Sequence, residues 1–331
     1  MNIIKPKLDR NMSNGRKLSN SPYSVCMVGV FRDESCSNVH LARAIESCSS
    51  VSRVMRFDYR ECQNDNPDKI TKMMSRIPLS CNLVIICKGS GIQPNIIKHL
   101  STKITTYLWF MDWFPQIEWN KSILQYSKYC HYRSATGFDT SVLWANKIKL
   151  PVYHVLDGAA TYLYYPEKTE KKYDVSFIGT SDPERECVFK FLKNRGFNVE
   201  FFGPGFDSFV DPVRFRQICN KSKIVLNISR SKYKGYTSLR LWNLLSCGSM
   251  VLTKEIPGIE NHLGLIPGKN IDQFFSLFDL EHKLKYYLDQ DSEREKIARE
   301  ALEYVGRNRT WNNTAEEIIN IVRKDPPVYT V

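Results

Sequence analysis

Short apolar segments alternate along the chain with longer segments in which apolar residues recur every three or four positions. In the first half, the apolar segments are YSVCMVGVF, SRVMRFDY, CNLVIICKGSG and KITTYLWFMDWFP, and the periodic ones include SNVHLARAIES and QPNIIKHLS. Apolar runs that end at glycine or polar residues predict buried strands, and the longer spacing predicts amphipathic helices. Regular alternation of strand and helix predicts a parallel, doubly wound sheet.

A charged, proline-containing segment interrupts this alternation. Residues 157–172, DGAATYLYYPEKTEKK, predict a linker, after which strands and helices resume with YDVSFIGT, PERECVFKFLKNRG and NVEFFGPG. The pattern therefore predicts a Rossmann-like domain over residues 21–156 and a second one over 173–305, with a ligand cleft between them. Residues 306–331 predict an amphipathic closing helix, and the polar, basic residues 1–20 predict a flexible tail.

Composition and charge narrow the class of protein. A hydrophobic content of 42% and a charged content of 25% are ordinary for a globular protein. The sequence has neither an apolar run of about 18 residues nor an apolar leader, and its ten cysteines form no C-x-x-C pair, so we expect a cytoplasmic protein with reduced thiols and no integral membrane segment. Most of the net charge of +12 lies before residue 156. An acidic partner would bind to that half of the chain, although a basic surface with no binding role explains the charge equally well.

Two strand-to-helix junctions in the second half carry the features of an anion site. Gly179 and Thr180 follow one strand, and Arg185 lies in the first turn of the next helix. In GYTSLRLWNLLSCG, Thr237 or Ser238 is a candidate N-cap and Arg240 falls in the first turn. Glycine permits close approach to the backbone, and free amides at a helix start favour an anion.

Arg240 lies beside an apolar run and needs a partner. Arg240 and Asn243 are three residues apart and share a helix face. Arginine suits phosphate oxygens and asparagine suits a sugar hydroxyl, so Arg185 and Arg240 together predict a diphosphate site. The alternatives are a salt bridge from Arg240 to an acid such as Glu260, and an exposed arginine at Arg185.

The first half offers a candidate general base. Asp112 follows TTYLWFM at the end of a strand, where the neighbouring Trp109, Trp113 and Phe114 are expected to raise its pKa by desolvation. The alternative is that Asp112 caps a turn. His131 and Asp139 are weaker candidates for the base and are more readily explained as structural.

Other strand ends of the first half, together with one tryptophan, are expected to lie on the acceptor side: Gly29, Lys88, Gly89 and Trp113. The D-x-D pattern at Asp289–Asp291 falls in a connection between helices, so we expect no metal site there. Arginines and helix starts then replace the cation, and no cofactor is expected beyond the co-substrate.

Several of these segments together resemble a known family. The C-terminal halves of CgeB-type glycosyltransferase-like proteins are similar to YDVSFIGTSDPERECVFKFLKNRG, GYTSLRLWNLLSCGSMVLTKEIPGIENHL and EREKIAREALEYV, and LVIICKGSGIQPNIIKHL…TTYLWFMD extends the likeness over residues 25–325. The resemblance implies the GT-B fold, with a nucleotide-sugar donor bound mainly by the second domain and the closing helix, 306–331, returning to the first. It implies donor contacts from Ser238 to Asn243, and we add Glu260 to the donor side.

A more distant likeness links the same half to the DNA β-glucosyltransferases of T-even phages. It implies that Arg185 and Arg240 hold the donor phosphates and that a strand-end aspartate acts as base. Both families usually carry glutamate where this chain has Asn243. Asparagine has one acceptor oxygen and no charge, so the donor and its affinity are open to question.

The sequence therefore predicts a glycosyltransferase that moves a sugar from a nucleotide diphosphate, UDP in the first instance, to a hydroxyl group. The absence of an E-x7-E pattern around Asn243 favours an inverting reaction. The expected acceptor is a polysaccharide or a lipid-linked glycan. Two alternatives stay open: a DNA glycosyltransferase acting on hydroxymethylated bases, and a non-catalytic binding or coat protein that keeps the GT-B fold.

Overall fold

The computed structural model describes residues 3–4, 22–62, 74–75, 77, 80–115, 121–207 and 209–324. The chain divides into two compact units, one formed by Met1–Asp157 with Trp311–Val331 and the other by Gly158–Thr310. Most of the predicted basic tail (all but residues 3–4) and the last seven residues lie outside the described part of the chain.

The first unit is built on a seven-stranded sheet. Its strands are β1 (Ile3–Ile4), β2 (Tyr23–Gly29), β3 (Val51–Asp58), β4 (Leu83–Cys87), β5 (Thr105–Phe110), β6 (Tyr132–Ala135) and β7 (Val152–His154). Their order is β1-β7-β6-β5-β4-β2-β3, and every pair is parallel except β1 with β7. The strands β2, β4 and β5 are buried along their whole length because helices cover both faces of such a sheet.

The described residues of this unit include five helices. They are α1 (Ser37–Glu46), α2 (Pro94–Ser101), α3 (Lys121–Tyr126), α4 (Phe138–Ile148) and α10 (Trp311–Lys324). The closing helix α10 packs on α1, the ring of Trp311 meets that of Trp109 edge-on at 5.7 Å, and the Thr314 hydroxyl donates to the Leu156 carbonyl at 2.9 Å. The closing helix α10 is therefore part of the first unit's core.

The second unit has a five-stranded, fully parallel sheet. Its strands are β8 (Tyr173–Ile178), β9 (Val199–Phe202), β10 (Ser222–Asn227), β11 (Met250–Lys254) and β12 (Asp272–Phe274), in the order β12-β11-β10-β8-β9. Because β8 and β10 are neighbours, the residues that follow Ile178 and Asn227 lie side by side at one edge of the sheet. The strand order reverses between β8 and β10, and α/β folds bind ligands at the carboxyl ends of the strands where such a reversal occurs.

The helices of the second unit are α5 (Pro183–Asn194), α6 (Pro212–Asn220), α7 (Arg240–Ser246), α8 (Leu277–Asp289) and α9 (Asp291–Asn308). Both α5 and α6 begin with the same local signal: an aspartate whose side chain caps the helix, followed by proline. The predicted α/β class and the two Rossmann-like units are confirmed. In the described part of the chain, no helix is both long and apolar enough to cross a bilayer.

Candidate functional site

The first component of the site is the junction between β8 and α5. Asp182 caps α5 by accepting the Arg185 backbone N–H at 3.0 Å. The Arg185 side chain is 6% exposed and turns back under the loop, where it donates to the carbonyl oxygens of Thr180 at 2.6 Å and Ile228 at 2.8 Å. Its Nε also lies 3.2 Å from Oδ2 of Asp182. The alternative of an exposed first-turn arginine is therefore wrong.

The second component is Arg240, the first residue of α7. Its guanidinium group donates to the Ile178 carbonyl at 3.1 Å, to Oδ1 of Asn227 at 3.2 Å and to the Ile228 carbonyl at 3.2 Å. All three partners are neutral. Glu260 instead lies exposed in a short π-helical turn, Ile259–Leu263. The alternative of a salt bridge from Arg240 to Glu260 is wrong, and the described residues supply no carboxylate that bonds to Arg240.

The two arginines converge on one ring and one carbonyl oxygen. Each guanidinium carbon lies 5.0 Å from the centre of the buried Phe177 ring, and both groups donate to Ile228. Cations over an aromatic face are stabilised by its quadrupole, which partly offsets the repulsion between two like charges. The geometry thus holds two positive groups together at the ends of β8 and β10.

Positive charge exceeds negative charge around this pair. Asp182, which contacts Arg185, also accepts Nε of the exposed Arg230 at 2.7 Å, and Arg240 lies close enough to interact electrostatically with all three. Burial, together with the charges of Arg185 and Arg230, lowers the pKa of Arg240 to about 9, and burial also lowers the pKa of Arg185. Both groups stay protonated at neutral pH, and an anion would relieve their repulsion.

Gly179 is required by the close approach of Arg240. A Cβ atom at this position would overlap Nη1 of Arg240 and would lie 2.9 Å from Cζ of Phe177. The Gly-Thr-Ser turn after β8 therefore leaves room for a side chain from α7. Thr180 is exposed and contributes its carbonyl oxygen to Arg185.

The start of α7 differs from the prediction. The helix begins at Arg240, Leu239 is the N-cap residue, and no side chain caps it, so Thr237 and Ser238 are not the cap. Asn243 is buried, and its Oδ1 accepts the Ala160 N–H at 3.4 Å instead of joining the residues that hold Arg240. Ser238 is partly exposed, and its carbonyl accepts the Leu241 N–H at 3.0 Å.

In the first unit, Asp112 is placed differently from the prediction. Asp112 forms an ion pair with Lys88, and about a third of its side chain is exposed. Trp109 is directed into the core, where its indole N–H donates to the Val155 carbonyl at 3.3 Å. The strand ends at Phe110, so Asp112 lies in the loop just beyond it with its carboxylate partly exposed, and its role as the base stays a prediction.

The other first-unit candidates surround the same sheet edge. Lys88 and Gly89 both have positive φ angles of 65°, and the Tyr126 hydroxyl donates to their carbonyl oxygens at 2.5 and 3.1 Å. A Cβ at Gly29 would lie 2.7 Å from Nδ2 of Asn38. Trp113 is partly buried.

Of the weaker candidates for the base, His131 has a structural environment. Burial lowers its pKa to about 4, and its Nδ1 accepts the Thr106 backbone N–H at 3.1 Å. Asp139 lies in the first turn of α4.

Sequence reasoning missed several of the residues that matter here. Asn227 and Arg230 follow the apolar run KIVL, and Asp182 precedes Pro183, so a polar residue at a strand end was the available signal. In the first unit, the buried Asp157 was also missed. Burial, with the nearby Asp112, raises the pKa of Asp157 to about 8, and its Oδ1 has no hydrogen-bond partner among the described residues. Within the described residues, no group of three or more histidine, cysteine, aspartate or glutamate side chains is placed to hold a metal.

Comparisons with known proteins agree with this architecture. The α-glucosyltransferase of T4, solved with UDP and a 13-mer DNA containing an HMU base, superposes with a TM-score of 0.68 at 11% identity, covering 91% of this chain and 99% of that one. HepE of Anabaena, solved with UDP and glucose, gives 0.66 at 9% identity, covering 92% and 100%. Sucrose-phosphate synthase of Thermosynechococcus elongatus gives 0.64 at 11% identity, covering 91% and 98%.

At these identities the likeness shows the fold. A search of curated proteins found no match. A family model described as glycosyl transferase-like matches residues 185–320, which contain both arginines of the cluster. The narrower CgeB-type resemblance stays a prediction. Residues 185–320 thus resemble a glycosyl transferase-like family, in a chain with the fold of the GT-B glycosyltransferases.

Proposed function

We propose that the protein transfers a sugar from a nucleotide-diphosphate donor, with UDP as the nucleotide, to a hydroxyl acceptor. The observation that carries the proposal is the convergence of Arg185 and Arg240 on the Phe177 ring and the Ile228 carbonyl, with Arg230 beside them on Asp182. A diphosphate diester is negatively charged and presents oxygens that guanidinium groups can bind in pairs. Structures with this fold include complexes with UDP, with UDP-glucose and with both UDP and glucose, which supports the choice of nucleotide.

The same cluster suits the chemical step. Cleavage of the bond between sugar and diphosphate leaves an additional negative charge on the terminal phosphate of the leaving group, and positive groups fixed in advance stabilise that charge most effectively. Arg240 is held by carbonyl and amide oxygens, which fix its position without cancelling its charge. We propose that these arginines act in place of a metal ion.

For the acceptor we propose Asp112 as the general base. The carboxylate is accessible, and its ion pair with Lys88 holds it at the carboxyl edge of the first sheet. A single base that deprotonates the acceptor hydroxyl is the requirement of an inverting reaction. A neighbour named an α-glucosyltransferase, solved with UDP-glucose, instead favours retention. We propose inversion on the basis of Asp112, and an NMR spectrum showing the donor's anomeric configuration in the product would contradict it.

The acceptor we propose is a glycan, free or lipid-linked. DNA with hydroxymethylated bases is the second candidate, because the T4 enzyme was solved with DNA and because the first half of this chain carries most of the excess charge. Gel-shift titration with such DNA distinguishes the two acceptors. DNA binding that weakens steeply with salt and is followed by sugar transfer would favour the second candidate.

The donor assignment is tested by thermal shift with UDP, UDP-glucose and uridine. We expect UDP and UDP-glucose to raise the melting temperature of the wild type, and Arg240→Ala and Arg185→Ala to abolish most of that rise. Arg299→Ala removes an exposed arginine of α9 and is the matched control, with a shift equal to that of the wild type. A wild-type protein that no nucleotide diphosphate stabilises would refute the proposal. Binding without any slow release of UDP from UDP-glucose would favour a non-catalytic protein.

A further inference from the structure

Two buried polar side chains lie behind the arginine cluster, each directly after an apolar stretch of its strand. Asn227 ends β10 and Thr253 is its register partner in β11, and neither side chain is exposed. Leu226 and Leu252, the residues that precede them, belong to the hydrophobic core. A polar pair in the interior of a parallel sheet costs stability unless its hydrogen bonds are satisfied, so their partners show what the pair does.

The hydrogen bonds form a chain with one direction. Nδ2 of Asn227 donates to Oγ1 of Thr253 at 2.9 Å, and the Thr253 hydroxyl has the carbonyl oxygen of Lys254 at 2.9 Å or that of Asn227 at 3.2 Å as its acceptor. Oδ1 of Asn227 is then directed at Nη2 of Arg240, 3.2 Å away. The opposite amide orientation would set N–H groups against a guanidinium group, so Arg240 meets the amide oxygen, and Thr253 supports this orientation by accepting from the N–H end.

The chemical nature of this partner matters for the cluster. A carboxylate at position 227 would bind Arg240 more strongly, but it would also neutralise the charge that a diphosphate needs. An amide oxygen fixes the guanidinium group and leaves the charge in place. Because Arg185 lies beside Arg240 and repels it, Arg240 needs such a support in the absence of an anion.

We propose that Asn227 and Thr253 are positioning residues that hold Arg240 in the orientation for binding the donor diphosphate, with its charge uncompensated. This inference rests on the proposed function. It adds a specificity element: the pair favours ligands that carry a diphosphate over the same nucleoside without one.

The test compares UDP with uridine by isothermal titration calorimetry. Thr253→Val keeps the shape of the side chain and removes the hydroxyl, Thr253→Ser keeps the hydroxyl, and Asn227→Asp replaces the amide by a carboxylate. We expect Thr253→Val to weaken UDP binding about fivefold and Asn227→Asp to weaken it about tenfold or more. Uridine binding should not change in either variant, and Thr253→Ser should bind UDP like the wild type.

Three results would overturn the inference, and one of them would also overturn the proposed function. Equal UDP affinity in the wild type, Thr253→Val and Asn227→Asp would overturn the inference and leave the proposed function intact. Equal losses for uridine and UDP would also overturn it, because they indicate a general packing role. Failure of the wild type to bind UDP would overturn the proposed function and this inference with it. Melting temperatures confirm that the variants are folded. The UDP affinity of Thr253→Ser remains interpretable even if Thr253→Val is not folded.

Discussion

Gly179 provides the sharpest test of the arginine cluster, because a single methyl group acts on one guanidinium group. In Gly179→Ala the new Cβ overlaps Nη1 of Arg240 and crowds the Phe177 ring. The backbone does not resist the change, because alanine is strained only where φ is positive, and Gly179 is not among the glycines with positive φ. The end of the Arg240 side chain can move, whereas the buried ring of Phe177 has little freedom. We therefore expect the guanidinium group to be displaced while the fold is kept.

The size of the effect follows from the contacts. To restore an ordinary separation from the methyl group, Nη1 must move by about 1 Å, and it then loses its hydrogen bond to the Ile178 carbonyl. A hydrogen bond from a charged group contributes about 2 kcal/mol, so the free energy of unfolding should fall by about that amount. A misplaced arginine should cost about 2 kcal/mol of diphosphate binding, which is about thirtyfold in affinity.

Calorimetric titration with UDP and chemical denaturation measure the two effects separately. Gly306→Ala is the matched control: Gly306 lies in α9, and a Cβ there would meet nothing within 4 Å. Alanine in a helix interior should stabilise the protein by about 0.5–1 kcal/mol and leave UDP affinity unchanged. If Gly179→Ala bound UDP as tightly as the wild type, Arg240 would not be a diphosphate ligand and the assignment of the site would be refuted.

Three further predictions concern Arg230, Asp157 and His131. Arg230→Ala should weaken UDP binding about threefold with little change in melting temperature, because the exposed pair with Asp182 contributes at most about 1 kcal/mol to folding; an unchanged UDP affinity in calorimetry would remove Arg230 from the site. Asp157 keeps its proton in the folded state up to about pH 8 but loses it near pH 4 in the unfolded state, so the free energy of unfolding falls as the pH rises between these values. Asp157→Asn has no such proton to lose, and its stability relative to the wild type should rise by up to about 4 kcal/mol between pH 5 and pH 8. Denaturation at both pH values checks this, and a difference independent of pH would contradict it. His131 stays neutral in the folded state down to about pH 4, so stability is lost as pH falls below about 6.5, and His131→Asn should reduce that loss by up to about 2 kcal/mol at pH 5, as melting curves at pH 7 and 5 would show.

The fold could be predicted because its signals are local and repeated. Apolar strand segments, helical spacing and Asp-Pro helix starts such as that at Asp182 each depend on a few neighbouring residues. The approach of Arg185 to Arg240 was also within reach of the sequence. Parallel strands end at a common edge, so residues that follow β8 and β10 meet whenever those strands are adjacent.

The details of the site depend on where elements begin and end, and one or two residues decide them. A cap at Thr237 or Ser238 would start α7 earlier, but the helix starts at Arg240. Asp112 was expected at the end of a strand, yet the strand stops two residues before it, which exposes the carboxylate and brings it to Lys88. Periodicity is insensitive to shifts of this size, and side-chain exposure depends on them strongly.

The hydrogen-bond partners of Arg240 could not be predicted from the sequence, for a physical reason. A charged group near a core is expected to have an opposite charge nearby, and on that expectation Glu260 was a reasonable partner. The structure supplies instead carbonyl oxygens at Ile178 and Ile228 and an amide oxygen at Asn227. Every residue has a backbone carbonyl, so the sequence does not indicate which carbonyls will accept hydrogen bonds from a cation. They become available here because β8 and β10 end side by side, where the ladder of hydrogen bonds stops and acceptors remain free. A cation held by such neutral acceptors keeps its charge. The neutrality of its partners, which made them hard to predict from the sequence, therefore also makes the cation suitable for binding an anion.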